Sequence, residues 1–195
     1  KEMYTFKDRN EDFLTLRPEY TTPMIRAAIT NNLLHELPLK VFGIGPMFRR
    51  ERPQKGRFRQ FNQINFEIFG SDDCIADLEL INLANDILKS TLPNTKFVLN
   101  INSLGKKENL IKYKENLSKY FEDKKSKLSS ESRDKIHSNP LRILDSKNKN
   151  DTDISDSAPS IKDYISKEEK NHFDEIKNGL KYFGINFKEN NKLVR

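Results

Sequence analysis

β-Prone residues fill two short stretches near the start of the chain. Residues 3–6 and 13–16 have strand character, and residues 7–10 between them are turn-like. This pattern predicts a β-hairpin over residues 2–16.

A helix is predicted after the hairpin. Thr21 or Thr22 is placed to cap it, with Pro23 in its first turn. Its apolar side includes Met24 and Leu34, and we expect it to end near Pro38.

Further strands follow this helix. The pattern predicts a short apolar strand at 41–45, a two-stranded ribbon of 47–52 and 57–69 around a turn at 53–56, and a strand at 96–102. Between the ribbon and the strand at 96–102, residues 70–73 are expected to end the ribbon and to cap a second helix.

At Ser103 the composition becomes highly charged and the apolar spacing becomes helical. One amphipathic helix is marked by Leu110, Tyr113, Leu117 and Phe121, and another by Phe173, Ile176, Leu180 and Phe183. A capping box from Ser166 to Glu169 opens the second helix. Residues 145–159 are predicted to be a loop.

These elements predict an α+β fold. We expect an antiparallel sheet with flanking helices over 1–102 and a small, mostly helical domain over 103–190.

Composition narrows the function classes. The 195 residues carry a net charge of +6, which is a weak argument for a polyanionic partner. One cysteine and three scattered histidines give no metal-ligand spacing, so no metal site is predicted. No apolar run is long enough for a membrane span and no secretory signal opens the chain, so the expected compartment is the cytoplasm. The first residue is Lys1, which suggests a fragment.

The long predicted strand carries chemistry on one face. Alternation places on that face Arg57, Arg59, Phe61, Gln63, Asn65 and Glu67. The other face, with Phe58, Ile64, Phe66 and Ile68, is predicted to be mostly core. Guanidinium groups near a hairpin end suit a polyphosphate, and an aromatic ring suits a base. The alternation leaves two interpretations open: a nucleotide beside an amine-bearing molecule, or a basic ribbon that lies on the surface or grips a nucleic-acid backbone.

The order of residues goes further than the alternation. Residues 48–63, Phe-Arg-Arg-Glu-Arg-Pro-Gln-Lys-Gly-Arg-Phe-Arg-Gln-Phe-Asn-Gln, resemble motif 2 of class II aminoacyl-tRNA synthetases, and more closely that of the histidyl-tRNA synthetase family. Residues 16–21 resemble that family's amino-acid-binding segment, residues 139–147 a stretch of its insertion domain, and residues 193–195 the start of its histidine-specific motif.

The resemblance implies ATP-dependent activation of L-histidine and its transfer to tRNA(His), with Mg²⁺ accompanying ATP and a homodimer in the full-length protein. It implies that Arg49 and Arg195 are catalytic at the α-phosphate, that Glu51 accepts from the adenine amino group, that Arg57 reaches the terminal phosphates and that Phe61 stacks on adenine. The histidine site would contain Glu19, Tyr20, Thr21, Gln63 and Glu67.

Two of these residues also have simpler interpretations. Glu19 could cap the following helix, and Glu67 could be a charge at the sheet edge paired with an arginine. Position 20 is Tyr where many members of the family have Gly or Leu, and it could narrow the pocket entrance.

The resemblance also implies how the chain is divided. Residues 1–102 would be part of the catalytic domain, residues 103–190 the insertion domain, which in this family lies over the tRNA acceptor arm, and residues 191–195 a return to the catalytic core. Motif 1 would precede residue 1 and motif 3 would follow residue 195, so the isolated chain is expected to be an inactive internal fragment. The alternatives are the synthetase-like regulatory subunit of ATP phosphoribosyltransferase and a basic RNA-binding module.

Overall fold

The computed structural model describes residues 3–194. The chain forms two compact units that divide between Asp72 and Asp73. We describe each unit by itself.

The first unit is built on two antiparallel strand pairs. Its elements are β1 (Thr5–Lys7), β2 (Phe13–Thr15), α1 (Thr21–Thr30), a 3₁₀ turn (Leu33–His35), β3 (Leu39–Phe48) and β4 (Gln60–Phe69). β1 pairs with β2, which confirms the predicted hairpin. β3 pairs with β4 along its full length, from Leu39 opposite Phe69 to Phe48 opposite Gln60. This second pair carries the candidate site.

The second unit is mostly helical. Its elements are α2 (Cys74–Thr91), β5 (Leu99–Ile101), α3 (Lys107–Asp123), a 3₁₀ turn (Lys125–Lys127), α4 (Ser130–Arg133), α5 (Leu141–Leu144), α6 (Lys149–Ser155), a 3₁₀ turn (Ile161–Asp163), α7 (Lys167–Tyr182) and β6 (Phe187–Glu189). Asp73 caps α2 by accepting a hydrogen bond from the Ile75 amide at 2.9 Å, as predicted. The predicted capping box of α7 is present.

Two apolar clusters form the core of the second unit. The larger is centred on the buried side of α3, with Tyr113, Leu117 and Phe121, and the smaller contains Phe173, Ile176 and Leu180 of α7. The helical spacing selected these positions, because residues three and four apart share one side of a helix. Phe183, which the spacing also assigned to the second helix, follows the end of α7 and is 50% exposed.

Several predicted boundaries are wrong. The helix after residue 21 ends at Thr30 instead of near Pro38, and the strand predicted at 96–102 is limited to Leu99–Ile101. The predicted loop at 145–159 contains α6. β6 was not predicted, and it pairs with β5 in parallel.

The ribbon also differs from its prediction. The partner of β4 is the whole strand 39–48, and residues 49–59 form a loop that contains an isolated bridge between Gln54 and Arg57. The face expected to be core is only partly covered within residues 3–194, since Phe66 and Ile68 are half-buried and Phe58 and Ile64 are exposed. Phe58 is 68% exposed and Ile64 is 49% exposed.

Within the second unit, α2 packs against α7 and β5 pairs with β6. The division predicted near residue 102 stays a prediction. No helix in the described part of the chain is long and apolar enough to cross a membrane.

Candidate functional site

A row of polar side chains runs along one face of β4. The pairing register places Phe61, Gln63 and Glu67 on the same face, as the alternation predicted. Asn65 lies between Gln63 and Glu67 in this row. The Gln63 amide donates to Asn65 Oδ1 at 3.2 Å, and the Asn65 amide donates to Glu67 Oε1 at 2.8 Å. Each group in the row is therefore oriented by its neighbour.

The row is joined to the start of α1. The Thr21 hydroxyl donates to Glu67 Oε1 at 2.6 Å. The simpler interpretation of Glu67, an ion pair with an arginine, is not what the structure shows, because Glu67 accepts from Thr21 and Asn65. One oxygen of Glu67 receives both hydrogen bonds, so the other oxygen retains capacity to accept from a ligand.

Glu19 caps α1. Both of its carboxylate oxygens accept from the Thr22 amide, at 3.0 and 3.1 Å. Thr21 and Thr22, which were predicted as caps, are instead the first two helical residues. Burial acts to raise the pKa of Glu19, but hydrogen bonds from Thr22 and Thr21 outweigh it and the pKa is lowered. Glu19 is thus held as an anion beside Thr21.

Arg49 connects the polar row to the loop. Its guanidinium lies 5.0 Å from the centre of the Phe61 ring, and its Nε donates to the Pro18 carbonyl at 2.8 Å. The Arg49 amide also donates to the Arg59 carbonyl at 2.8 Å. Arg49 therefore contacts both segments that carry predicted site residues, 17–21 and 61–67.

Glu51 and Arg57 pair with each other in the loop between β3 and β4. Arg57 Nη1 lies 3.5 Å from Glu51 Oε2. Arg57 precedes β4, so strand alternation does not fix its direction, and its place on the β4 face stays a prediction. Arg59 likewise lies outside the strand and donates to the Glu51 carbonyl at 3.3 Å.

Tyr20 lies at the junction of the first segment and α1. Arg17 stacks on it, with the guanidinium carbon 5.0 Å from the ring centre. Arg17 itself is anchored to β3, because its Nε donates to the Pro46 carbonyl at 2.9 Å and its carbonyl accepts from the Phe48 amide at 3.0 Å. Arg195 lies outside the described residues.

The structure thus brings together most of the predicted positions. Glu19, Tyr20 and Thr21 are consecutive at the start of α1, and Thr21 is bonded to the row that contains Gln63 and Glu67. Neither sequence pattern nor motif resemblance gives a role to Asn65 or Arg17. Strand alternation had already placed Asn65 on the correct face, whereas no sequence signal indicated that Arg17 would stack on Tyr20.

Comparison with known families identifies the family to which the chain belongs. The family model described as "tRNA synthetase class II core domain (G, H, P, S and T)" matches residues 4–175. The chain belongs to this class II core family. The resemblance of residues 48–63 to motif 2 is thereby confirmed at the level of the family.

Curated relatives of this class II core bear one specific name. A histidine--tRNA ligase from Wolbachia pipientis subsp. Culex pipiens (strain wPip) is 49% identical over the whole chain, and one from Rickettsia typhi (strain ATCC VR-144 / Wilmington) is 46% identical over the same length. In both cases the chain covers 47% of the relative. The chain thus spans about half the length of the curated relatives it matches.

Solved structures share the fold of this class II core. The crystal structure of apo S. aureus histidyl-tRNA synthetase superposes with a TM-score of 0.76 at 32% identity, covering 99% of this chain and 45% of that one. An ATP phosphoribosyltransferase regulatory subunit/histidyl-tRNA synthetase from Bacillus halodurans C superposes with a TM-score of 0.63 at 18% identity, covering 99% of this chain and 54% of that one. The second likeness concerns the fold alone.

No group of three or more His, Cys, Asp or Glu side chains among residues 3–194 is arranged to hold a metal ion. The Glu51 carboxylate in the loop between β3 and β4 is paired with Arg57. A Mg²⁺ ion that accompanies a nucleotide takes most of its ligands from phosphate oxygens and water. The residues present fit that mode of binding.

Proposed function

We propose that the protein is a histidine--tRNA ligase, which activates L-histidine with ATP and transfers it to tRNA(His). The observation that carries the proposal is the row Gln63–Asn65–Glu67, joined to Thr21 and lying beside Arg49. This row supports binding of a small molecule with donor groups, next to a cation suited to a phosphate.

Histidine binding falls to two segments in this proposal. Glu19 and Thr21 take the α-amino group, since a carboxylate and a hydroxyl both accept from an ammonium. Glu67 accepts from the imidazole through its remaining oxygen capacity, and Asn65 holds that carboxylate in place. Gln63 lies at the other end of the row, toward the carboxylate of the substrate.

Activation is an in-line displacement at the α-phosphorus. A carboxylate oxygen of histidine forms a bond to phosphorus while the bond to pyrophosphate breaks, which gives histidyl-adenylate and pyrophosphate. Arg49 stabilises the charge that develops on the α-phosphate, and Arg195 acts on the same group by resemblance. Such preorganised cations lower the barrier because they need no rearrangement during the reaction.

The nucleotide is held by residues 49–61 in this proposal. Phe61 stacks on adenine, Glu51 accepts from its amino group and Arg57 binds the terminal phosphates. The present pairing of Glu51 with Arg57 keeps both side chains near each other before the nucleotide arrives. Mg²⁺ supplies charge neutralisation on the phosphates when it is bound.

We assign residues 103–190 to an insertion domain that contacts tRNA. Several lysines on and after α3 support this: Lys106, Lys107, Lys112, Lys125 and Lys127 are exposed. Lysines that neutralise phosphates strengthen binding without reading sequence. The homodimer and the cytoplasmic location are part of the proposal on the strength of the family relationship.

The decisive experiment is histidine-dependent exchange of labelled pyrophosphate into ATP by the protein produced from its complete reading frame. We expect exchange with histidine and none above background with the other amino acids. Aminoacylation of tRNA(His) then tests the second step. Histidine binding without exchange would overturn the proposal and favour a regulatory, synthetase-like subunit.

A further inference from the structure

We propose that the Tyr20 ring forms a side wall of the amino-acid pocket that excludes histidine analogues with a substituted ring, and that Gly43 and Gly45 of β3 leave the space in which this ring lies. This inference rests on the proposed function, because it assigns a substrate class to the same site. The motif resemblance places Tyr20 at the histidine site, but it assigns no role to Gly43, Gly45 or Arg17.

The first argument is the position of the ring. A methyl group built on Gly43 would lie 3.2 Å from Cε1 and 3.3 Å from Cδ1 of Tyr20. One built on Gly45 would lie 2.7 Å from the Tyr20 hydroxyl oxygen. The ring therefore extends along β3 from Gly43 to Gly45, in the volume that two side chains would otherwise fill.

The second argument is the face on which the ring lies. The register pairs Gly43 with Asn65 and Gly45 with Gln63. Directly paired residues of an antiparallel pair point to the same face. The Tyr20 ring therefore lies next to the polar row, on the side of the row that faces β3. The row forms the bottom of the pocket and the ring forms a side wall.

The third argument is that the ring is held in place. The Arg17 guanidinium stacks on it, and a methyl group on Gly45 would also lie 2.8 Å from Arg17 Nη2. Arg17 is bonded to β3 through the Pro46 carbonyl at 2.9 Å. Arg17 is thus a positioning residue, which supports the Tyr20 ring.

These surroundings select a flat ring that donates hydrogen bonds. Glu67 supplies the acceptor, and Tyr20 supplies a rigid aromatic surface whose distance from the row is fixed by the strand. An imidazole meets both requirements. A ring of the same kind with a methyl group on nitrogen loses a donor and requires additional space beside Tyr20.

The test compares histidine with Nτ-methylhistidine in pyrophosphate exchange by the protein from the complete reading frame. One extra methyl group in a tight pocket is typically discriminated by about 10–200-fold in kcat/KM. We expect Tyr20→Ala to reduce the discrimination ratio by about tenfold or more. Tyr20→Phe keeps the wall, and we expect its ratio to stay within about threefold of the unsubstituted protein. Equal loss of discrimination in both variants would contradict the proposal that the Tyr20 ring forms a wall of the pocket.

A second pair of variants tests the space over β3. We expect Gly43→Ala to lower kcat/KM for histidine by about tenfold, because the new methyl group lies against the Tyr20 ring and shifts it slightly toward the polar row. Met24 Cε is also close to that methyl group, at 2.7 Å, but it ends a flexible side chain and can move. Tyr20→Ala/Gly43→Ala should then be no worse than Tyr20→Ala alone. If the two losses multiply, the ring does not occupy that space.

Failure of the proposed function would look different. The unsubstituted protein would then show no histidine-dependent exchange at all. If that exchange is present and the ratio for Tyr20→Ala equals that of the unsubstituted protein, only the present inference fails.

Discussion

The Thr21 hydroxyl donates a 2.6 Å hydrogen bond to Glu67, 46 residues further along the chain. This bond joins the first helix to the long strand β4. It places the two segments that resemble histidine-binding residues on one side of a single strand pair. Substitution of either Thr21 or Glu67 is therefore expected to weaken binding of the same ligand.

We expect Glu67→Gln to raise the KM for histidine by about 10–100-fold with a smaller change in kcat. The substitution removes the charge from an acceptor that the bound substrate already uses, and a hydrogen bond to a charged group contributes about 1.5–3 kcal/mol. Steady-state exchange kinetics over a range of histidine concentrations will measure this. Glu36→Gln, at a highly exposed carboxylate outside the row, serves as the control and should leave the KM unchanged.

Arg49→Ala should instead lower the rate of histidyl-adenylate formation by about 100–1000-fold, with a smaller change in histidine affinity. Its guanidinium acts mainly on charge that develops in the transition state, and one preorganised donor of this kind contributes about 3 kcal/mol. Single-turnover kinetics separate the two effects.

The adjacent Arg50 is exposed and provides a matched control for Arg49. Arg50→Ala is expected to keep a near-normal rate. If Arg49→Ala and Glu67→Gln change the same kinetic parameter, the division of roles between these two residues is wrong.

Arg57→Gln is expected to raise the KM for ATP by about tenfold and to leave the thermal stability almost unchanged. Arg57 is 65% exposed and its partner Glu51 is 25% exposed. Ion pairs at such exposure contribute at most about 1 kcal/mol to stability. Thermal melting of the same preparation checks the second part, and a melting temperature lowered by many degrees would show that the pair is structural.

Asp151 should control the stability of the second unit. It is fully buried and accepts from the Ser129 amide at 2.8 Å and from the hydroxyls of Ser129, Ser132 and Ser146 at 2.7 Å each. Asp151→Asn replaces one acceptor oxygen by a donor and is expected to cost about 3 kcal/mol. The exposed Asp153 provides the control substitution to Asn. Denaturant titration with a helical signal will measure both.

The same carboxylate predicts a dependence on pH. Burial acts to raise the pKa of Asp151, but hydrogen bonds from Ser129, Ser132 and Ser146 outweigh it and the pKa is lowered from its usual 3.8. A lowered pKa in the folded state means that the stabilisation is complete above pH 3.8 and is lost as the pH falls through the folded value. The free-energy difference between the unsubstituted protein and Asp151→Asn should therefore shrink only on strong acidification. A difference that already shrinks between pH 7 and 5 would contradict this.

Replacing Lys107, Lys112 and Lys127 with Gln should weaken aminoacylation while histidyl-adenylate formation stays near normal. Each lost phosphate contact reduces the slope of log K against log salt concentration by about 0.7–0.9. Lys167→Gln/Lys170→Gln, on exposed positions of α7, tests whether any loss of charge has the same effect. An equal loss in both steps would mean that these residues support the fold instead of the tRNA.

Sequence patterns predicted the elements whose signal is local. The spacing of Tyr113, Leu117 and Phe121 defined α3, and the capping box of Ser166 and Glu169 defined the start of α7. Both signals depend on residues a few positions apart, which share one side or one end of a helix.

Features that depend on distant residues were missed. β5 and β6 have three residues each, so their pairing has no periodic signal. Residues 49–52 and 57–59 were assigned to two paired strands around a turn at 53–56, whereas the partner of β4 is the strand before them. The ring of Tyr20 over Gly43 depends on backbone positions that no local pattern contains.

The parallel pairing of β5 with β6 means that the chain departs at Ile101 and resumes at Phe187 on neighbouring strands. Paired strands lie about 5 Å apart, and three residues of strand span about 10 Å. The ends of the intervening segment therefore lie close together, and its link to the preceding part of the second unit is the pairing of β5 with β6 and the packing of α7 on α2. The parts of the segment that make neither contact can change in length without moving the two strands.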